Sequence, residues 1–354
     1  MNKTMLALTL SALAGTATAQ TSVSVYGIVD MALVRESGGA ASATKLTSGV
    51  ESGSRLGFKG SEDLGNGLSA LFLLESGFQV DTGVMGQGGL LFGRQAYVGL
   101  QSRAGTLTLG RQYTPQYLAV AAADPFGSGM AGDTKNLMAA TGNSASRMDN
   151  AVKYASPLMN GISAELVYGA GEVAGDNSAS RQFGGALGYA NGGLNLKLAH
   201  HNRNNDTAAL KNTSSAKNMV VTAVYDFGVA KGHFAYGRDK GLNSAPLRNA
   251  ANPFAYAVAP VASTDSSATL LGVTVPRGQH VLLASWIRKD DRTALNQDAD
   301  QFALGYRYYL SKRTDVYTAY AHMRNKNGAG YTVGSAIEGG SGNSAVNLGM
   351  RHTF

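Results

Sequence analysis

AVNLGMRHTF, residues 345–354, alternates without a break. Val346, Leu348, Met350, His352 and Phe354 share one face, while Ala345, Asn347, Gly349, Arg351 and Thr353 share the other. Successive strand residues point to opposite sides, so the stretch reads as a β-strand with one mainly apolar and one polar face. In a soluble sandwich such a terminal strand would fray. It suits the closing strand of a membrane β-barrel, with the Phe354 ring at the bilayer interface and a wet lumen behind.

The same pattern recurs upstream. Leu56 and Phe58 oppose Arg55 and Lys59; Ala70, Phe72 and Leu74 oppose Ser69, Leu73 and Glu75; Phe302, Leu304, Tyr306 and Tyr308 oppose Gln301, Gly305 and Arg307. Connectors are of two kinds. Short ones rich in Gly, Asn, Pro or charge lie at residues 62–67, 102–105, 157–161, 191–193, 227–231, 276–278 and 311–313. Longer polar ones lie near 35–52, 79–90, 114–148, 174–181, 204–216, 240–266, 290–298 and 325–343. The two kinds strictly alternate, which requires sixteen antiparallel strands with both termini on the short-turn side. The fold expected is all-β, a transmembrane antiparallel barrel in one domain, residues 20–354.

Lys3 precedes an apolar run, Met5 to Leu13, and then small residues ending Ala17-Thr18-Ala19. This is the plan of an export signal, residues 1–19, cleaved before Gln20. The run is too short to span a bilayer, and no later stretch reaches the roughly 18 apolar residues of a membrane helix. The net charge of +7 on a chain only 15% charged, without basic runs interleaved with aromatics, excludes a nucleic-acid partner. The absence of cysteine removes disulfides and thiolate chemistry. Glycine, at 46 of 354 residues, is well above the usual ~7%, and 16 Tyr against one Trp suit strands and interfacial belts.

No motif points to catalysis. Gly127-Ser128-Gly129-Met130-Ala131-Gly132 fits G-x-G-x-x-G, but no strand leads into it and no βαβ unit surrounds it. Ser214-Ser215-Ala216-Lys217 fits S-x-x-K without its companion motifs. The six histidines lack metal-ligand spacing, so neither metal nor cofactor is expected.

The segment Thr114–Met148, with acids Asp124 and Asp133, is too long for a casual connection. A sixteen-stranded lumen is too wide for wall side chains to fill, so a loop folded into the pore is favoured over an external flap. Alternation aims Arg55, Lys59, Glu75 and Arg94 inward, and Arg147 stands where the long loop rejoins the wall. Arginines set mid-strand suggest a basic wall that selects anions, with facing acids on the loop creating a transverse field.

At these residues the sequence resembles the general diffusion porins of Gram-negative outer membranes, of the β-proteobacterial type. The matching blocks are VYGIVD from Val25, SRLGFKGSEDLGNGLSALFLLESGF from Ser54, FGRQAYVGLQSRAGTLTLGRQYTP from Phe92, NAVKYASP from Asn150, LGYRYYLSKRTDVYTAYAHMRN from Leu304 and GMRHTF from Gly349. The resemblance implies a homotrimer of sixteen-stranded barrels with the third loop in the pore. By motif it carries the basic constriction residues onto Arg55, Arg94 and Arg147, with Arg111 a further pore-side residue, and Glu75 falls in a matching Leu-Glu block. Asp124-Pro125-Phe126-Gly127 departs from the family as a reordered Pro-acid-Phe-Gly turn. The stretch Asn243–Pro260 looks longer than the family norm.

The reading is an outer-membrane, water-filled channel for small hydrophilic solutes and inorganic ions, anion-preferring and in contact with membrane lipid. Two rivals stand beside it: a barrel enzyme, which would turn over ester or peptide substrates, and a barrel adhesin, which would bind surfaces without conducting ions.

Overall fold

The computed structural model describes residues 22–139, 146–211 and 214–354. The expected signal segment, residues 1–19, lies outside them. The described residues form strand segments β1 (Ser22–Ser37), β2 (Ala43–Ser48), β3 (Arg55–Gly65), β4 (Leu68–Gly77), β5 (Gln95–Ser102), β6 (Gly105–Tyr113), β7 (Arg147–Ala155), β8 (Ile162–Gly169) and β9 (Gln182–Asn191). They continue as β10 (Leu194–Asn204), β11 (Ser215–Asp226), β12 (Lys231–Ala245), β13 (Ser263–Arg277), β14 (His280–Asp291), β15 (Ala299–Tyr309), β16 (Thr314–Asn325) and β17 (Ser344–Thr353).

These seventeen segments make sixteen walls. β2 and β3 are two halves of one wall strand, because both pair with β1, β2 against Met31–Glu36 and β3 against Ser22–Ile28. Residues 49–54 between them leave the wall and turn into the lumen. Asp30 holds this excursion: its carboxylate accepts the amides of Val50 (3.1 Å) and Ser52 (2.8 Å), and its carbonyl accepts Gly49 N–H (2.8 Å). Here the sequence reading needs correction, since residues 35–52 are not one loop; half of them are strand.

β17 closes the barrel on β1, pairing Leu33 with Leu348 and Ile28 with Thr353. Phe354 and Gly27 exchange both backbone hydrogen bonds at 3.1 Å, and the Phe354 ring occupies the space a Gly27 side chain would need. The short connections all fall where the turn residues stand. Between β3 and β4, Asn66 and Gly67 both take positive φ, the conformation that matches a tight hairpin to strand twist.

The molecule is inside-out. Leu304 is 65% exposed while neighbouring Gln301 is fully buried; Leu348 is 61% exposed while Asn347 is 1% exposed. The apolar face of each strand points to lipid and the polar face inward. Among the described residues no helix is long and apolar enough to cross a membrane; the strands do the crossing.

Residues between β6 and β7 fold into the lumen. Helix α1 (Pro115–Ala123) starts from an N-cap, Thr114, whose hydroxyl accepts Tyr117 N–H at 3.2 Å, followed by Pro115 where a missing N–H costs nothing. α1 packs on the inner faces of β9 to β12, where Ala199, Val220 and Ala235 leave room. Beyond it Pro125 lies over Gly272 and Phe126 over Gly305; a Cβ on those wall glycines would come within 2.3 and 2.6 Å of them. Met130 N–H then reaches the Val50 carbonyl at 2.7 Å, so the loop crosses from the β6 wall to the 49–54 excursion.

Candidate functional site: a basic wall facing an inserted loop

The site begins with a missing side chain. Tyr26, Gly57 and Glu75 lie in one row across β1, β3 and β4. A Cβ at Gly57 would stand 2.3 Å from the Tyr26 ring, so glycine lets Tyr26 lie across β3 and donate to Glu75 Oε2 at 2.8 Å. The other carboxylate oxygen accepts Arg94 Nε at 2.7 Å. Arg94 Nη2 and Arg147 Nη2 both donate to the Tyr113 hydroxyl oxygen, at 2.8 and 2.6 Å, filling its two lone pairs. The Arg147 guanidinium also lies 4.4 Å from the Tyr113 ring centroid, a cation–π geometry. Tyr113 stacks on Tyr117 of α1 at 5.0 Å. Arg55, opposite Ile28, is steadied by its Nε donating to the Gly53 carbonyl at 2.9 Å. Burial pushes the Tyr117 hydroxyl up to about 12, so at neutral pH this phenol brings no negative charge to the arginines.

Arg55, Arg94, Arg147, Tyr113 and Tyr117 line a cavity of about 520 Å³, closed on its far side by residues 127–128 and Lys135 of the inserted loop and by residues 336–338. Three of the residues expected from sequence, Arg55, Arg94 and Arg147, are thus brought together.

The others are placed differently. Lys59 is exposed further along β3, over the Tyr26 ring at 5.3 Å, and is not part of the lining. Arg111 also lies outside it, ion-paired with Asp149 and donating to the Gly93 carbonyl at 2.8 Å. Glu75, expected on an acidic side, is beneath Arg94 on the same wall, because β4 is the cross-strand neighbour of β5 and Glu75 pairs with Gln95, the residue after Arg94. Asp124 and Asp133, expected to face the arginines, are buried within the loop. Asp124 accepts the amides of Phe126, Ser128 and Thr134, each at 2.9 Å, and so organises the chain after α1. Burial, with Asp133 nearby, raises the Asp124 carboxyl to about 6. Asp133 is fully buried, 3.3 Å from both the Lys135 ammonium and an Arg248 nitrogen.

Sequence reasoning missed Lys135, Glu51, Asp81 and Glu338, which do line the cavity. Glu51 is paired with Arg307 and, at 3.4 Å, with Arg351; Glu338 is paired with Lys45 at 2.7 Å. These acids stand in loops, where alternation gives no direction. Lys135 carried a signal, since it follows Asp133 by two residues in the segment expected to enter the pore.

A family model described as Gram-negative porin matches residues 4–328. An outer membrane porin protein of Bordetella pertussis is 32% identical, with all of both chains covered. Outer membrane porin protein 32 of Delftia acidovorans is 30% identical, again over all of both. Among solved structures, an anion-selective porin from Comamonas acidovorans superposes with a TM-score of 0.77 at 27% identity, covering 95% of this chain and 100% of that one. In-vitro folded OmpT of Vibrio cholerae, in its trimer form, superposes at 0.66 with 16% identity, covering 94% and 99%.

Proposed function

This chain belongs to the Gram-negative porin family, whose members are channels and not enzymes, and is an outer-membrane channel for passive diffusion of small hydrophilic solutes; on that premise we propose that it prefers anions, selected where Arg55, Arg94, Arg147 and Lys135 border the path. The observation that carries the reading is the charge balance of the lining: Arg55, Arg94, Arg147 and Lys135 stand against Glu51, Asp81 and Glu338. Of these acids Glu51 is ion-paired with Arg307 and Arg351, and Glu338 with Lys45, all three cations outside the lining. Glu75 sits beneath Arg94, and both acids of the described loop segment are buried away from the cavity. A passing anion meets fixed positive charge from the wall and from Lys135 on the loop. Unit charges a few ångströms apart interact by about 1 kcal/mol in bulk water and about 4 kcal/mol at an effective dielectric of 20. A bias of about 1.4 kcal/mol is already tenfold. The Comamonas relative, anion-selective by name, supports the same direction.

We further propose a homotrimer, which the trimeric form of the Vibrio OmpT supports by fold alone, and cleavage of residues 1–19 before assembly. Native mass spectrometry of detergent-extracted protein tests both, through a mass of three chains each beginning at Gln20. Selectivity is tested by the zero-current potential of the wild-type channel in a planar bilayer across a tenfold KCl gradient. The sign for chloride preference is expected; a potential of the opposite sign would refute the preference.

A further inference from the structure

Arg248 belongs to the segment between β12 and β13 and does not line the cavity. Its guanidinium ties three separate parts of the chain together. Nη1 donates to Asn136 Oδ1 at 2.7 Å and lies 3.3 Å from Asp133 Oδ2, both on the inserted loop; Nη2 donates to the Ser335 carbonyl at 2.8 Å, between β16 and β17. The Lys135 ammonium approaches the same Asp133 oxygen at 3.3 Å and donates to the Ala336 carbonyl at 2.8 Å. Asp133 is therefore a buried carboxylate shared by two cations, of which only Lys135 reaches the cavity.

We infer that Arg248 is a specificity-determining residue that acts through Asp133: by neutralising this carboxylate it leaves the Lys135 charge uncompensated at the pore. The inference rests on the anion preference proposed above. The trio Asp133, Lys135 and Arg248 carries one net positive charge; without Arg248, Asp133 would cancel Lys135 and the loop side of the path would be neutral. A buried carboxylate that loses one partner turns its field on the remaining one, so removing a charge outside the cavity changes the charge felt inside it. Asn136 and Ser335 fix the guanidinium in place, which keeps it on Asp133 and away from solvent.

The test is a charge cycle read by reversal potential at low salt, where the Debye length is long. One unit charge at roughly 10 Å in water changes the passage of a monovalent ion about twofold, in opposite senses for anion and cation. The anion-to-cation permeability ratio of Arg248→Gln should therefore fall about fourfold. Asp133→Asn, which keeps the backbone-accepting oxygen, should raise the ratio, and Arg248→Gln/Asp133→Asn, with the trio's charge restored, should return it to the wild-type value. A ratio that falls in Arg248→Gln and stays low in the double variant would mean that loop packing, not charge, is at work, and would overturn the inference. So would an unchanged ratio in Arg248→Gln. If Arg248→Gln does not assemble, Asp133→Asn alone decides, since an unchanged ratio there contradicts the shared-carboxylate arrangement. A wild-type channel without anion preference would instead defeat the proposed function itself, which separates the two failures.

Discussion

The Phe126 ring sits on the bare α-carbon of Gly305, so close that a Cβ there would lie 2.6 Å from it. The other side of the ring covers Gly132 of its own loop, and Phe126 is 1% exposed. The inserted loop is thus anchored by an aromatic side chain that fits only between two glycines.

Removing either half of this fit should free the loop. Phe126→Ala deletes a buried ring, a change that usually costs about 3–5 kcal/mol; Gly305→Val fills the seat. The wall itself, paired along both edges of β15, remains. Both variants are expected to insert as heat-resistant barrels with higher, noisier single-channel conductance and faster sugar entry in liposome swelling. Conductance equal to wild type in a folded Phe126→Ala channel would show that the ring does not hold the loop.

At the seam of the barrel, Phe354 depends on Gly27 in the same way. Deleting Phe354 removes the ring and the terminal exchange of hydrogen bonds with Gly27, while Gly27→Val keeps Phe354 and its backbone partner but crowds both the ring and the Arg55 carbonyl of β3. The deletion is expected to lower outer-membrane yield strongly and the glycine variant partially, both without loss of synthesis, as measured by heat-modifiable mobility of membrane fractions. Normal yield in the deletion would rule out a role for this residue in closure.

Asp124 gives the loop a dependence on pH. Its carboxyl titrates at about 6 in the folded loop, raised by burial, against about 3.9 in an unfolded chain. Between these values the folded form holds a proton that the unfolded form releases. This contribution to stability is therefore fully present below about pH 4 and lost as pH rises through about 6. Acidifying from pH 7 to 5 should make current fluctuations from loop opening rarer in the wild type. Asp124→Asn, which cannot titrate, should show no such change between pH 7 and 5. Equal pH dependence in both channels would remove Asp124 from the account.

Alternation made the barrel legible, because a two-residue period has one consequence for every residue of a strand. It placed Arg55 and Arg94 toward the lumen and put the turns at Asn66-Gly67 and its counterparts. It could not show that Glu75 lies under Arg94, since that contact depends on the register of β4 on β5, nor that Tyr26 reaches Glu75 across the gap at Gly57. Nor could it show that Asp124 and Asp133 turn inward, because a loop carboxylate follows the nearest free amides and cations. For Asp124 those are Phe126, Ser128 and Thr134 N–H; for Asp133 they are Lys135 and, from more than 100 residues away, Arg248. The 49–54 excursion read as part of a loop for a related reason: its glycines and serines look like turn chemistry, and its anchor, Asp30, lies on another strand.

The central claim is that the guanidiniums joined by Tyr113 set the ion preference of the channel, and charge reversal at Arg94 and Arg147 tests it most directly. The measurement is the zero-current potential of Arg94→Glu/Arg147→Glu in a planar bilayer under a low-salt KCl gradient, repeated near 1 M, where the Debye length falls to about 3 Å. The account predicts a shift toward potassium preference that shrinks at high salt. A potential identical to the wild type at low salt, in a channel that conducts, would contradict it.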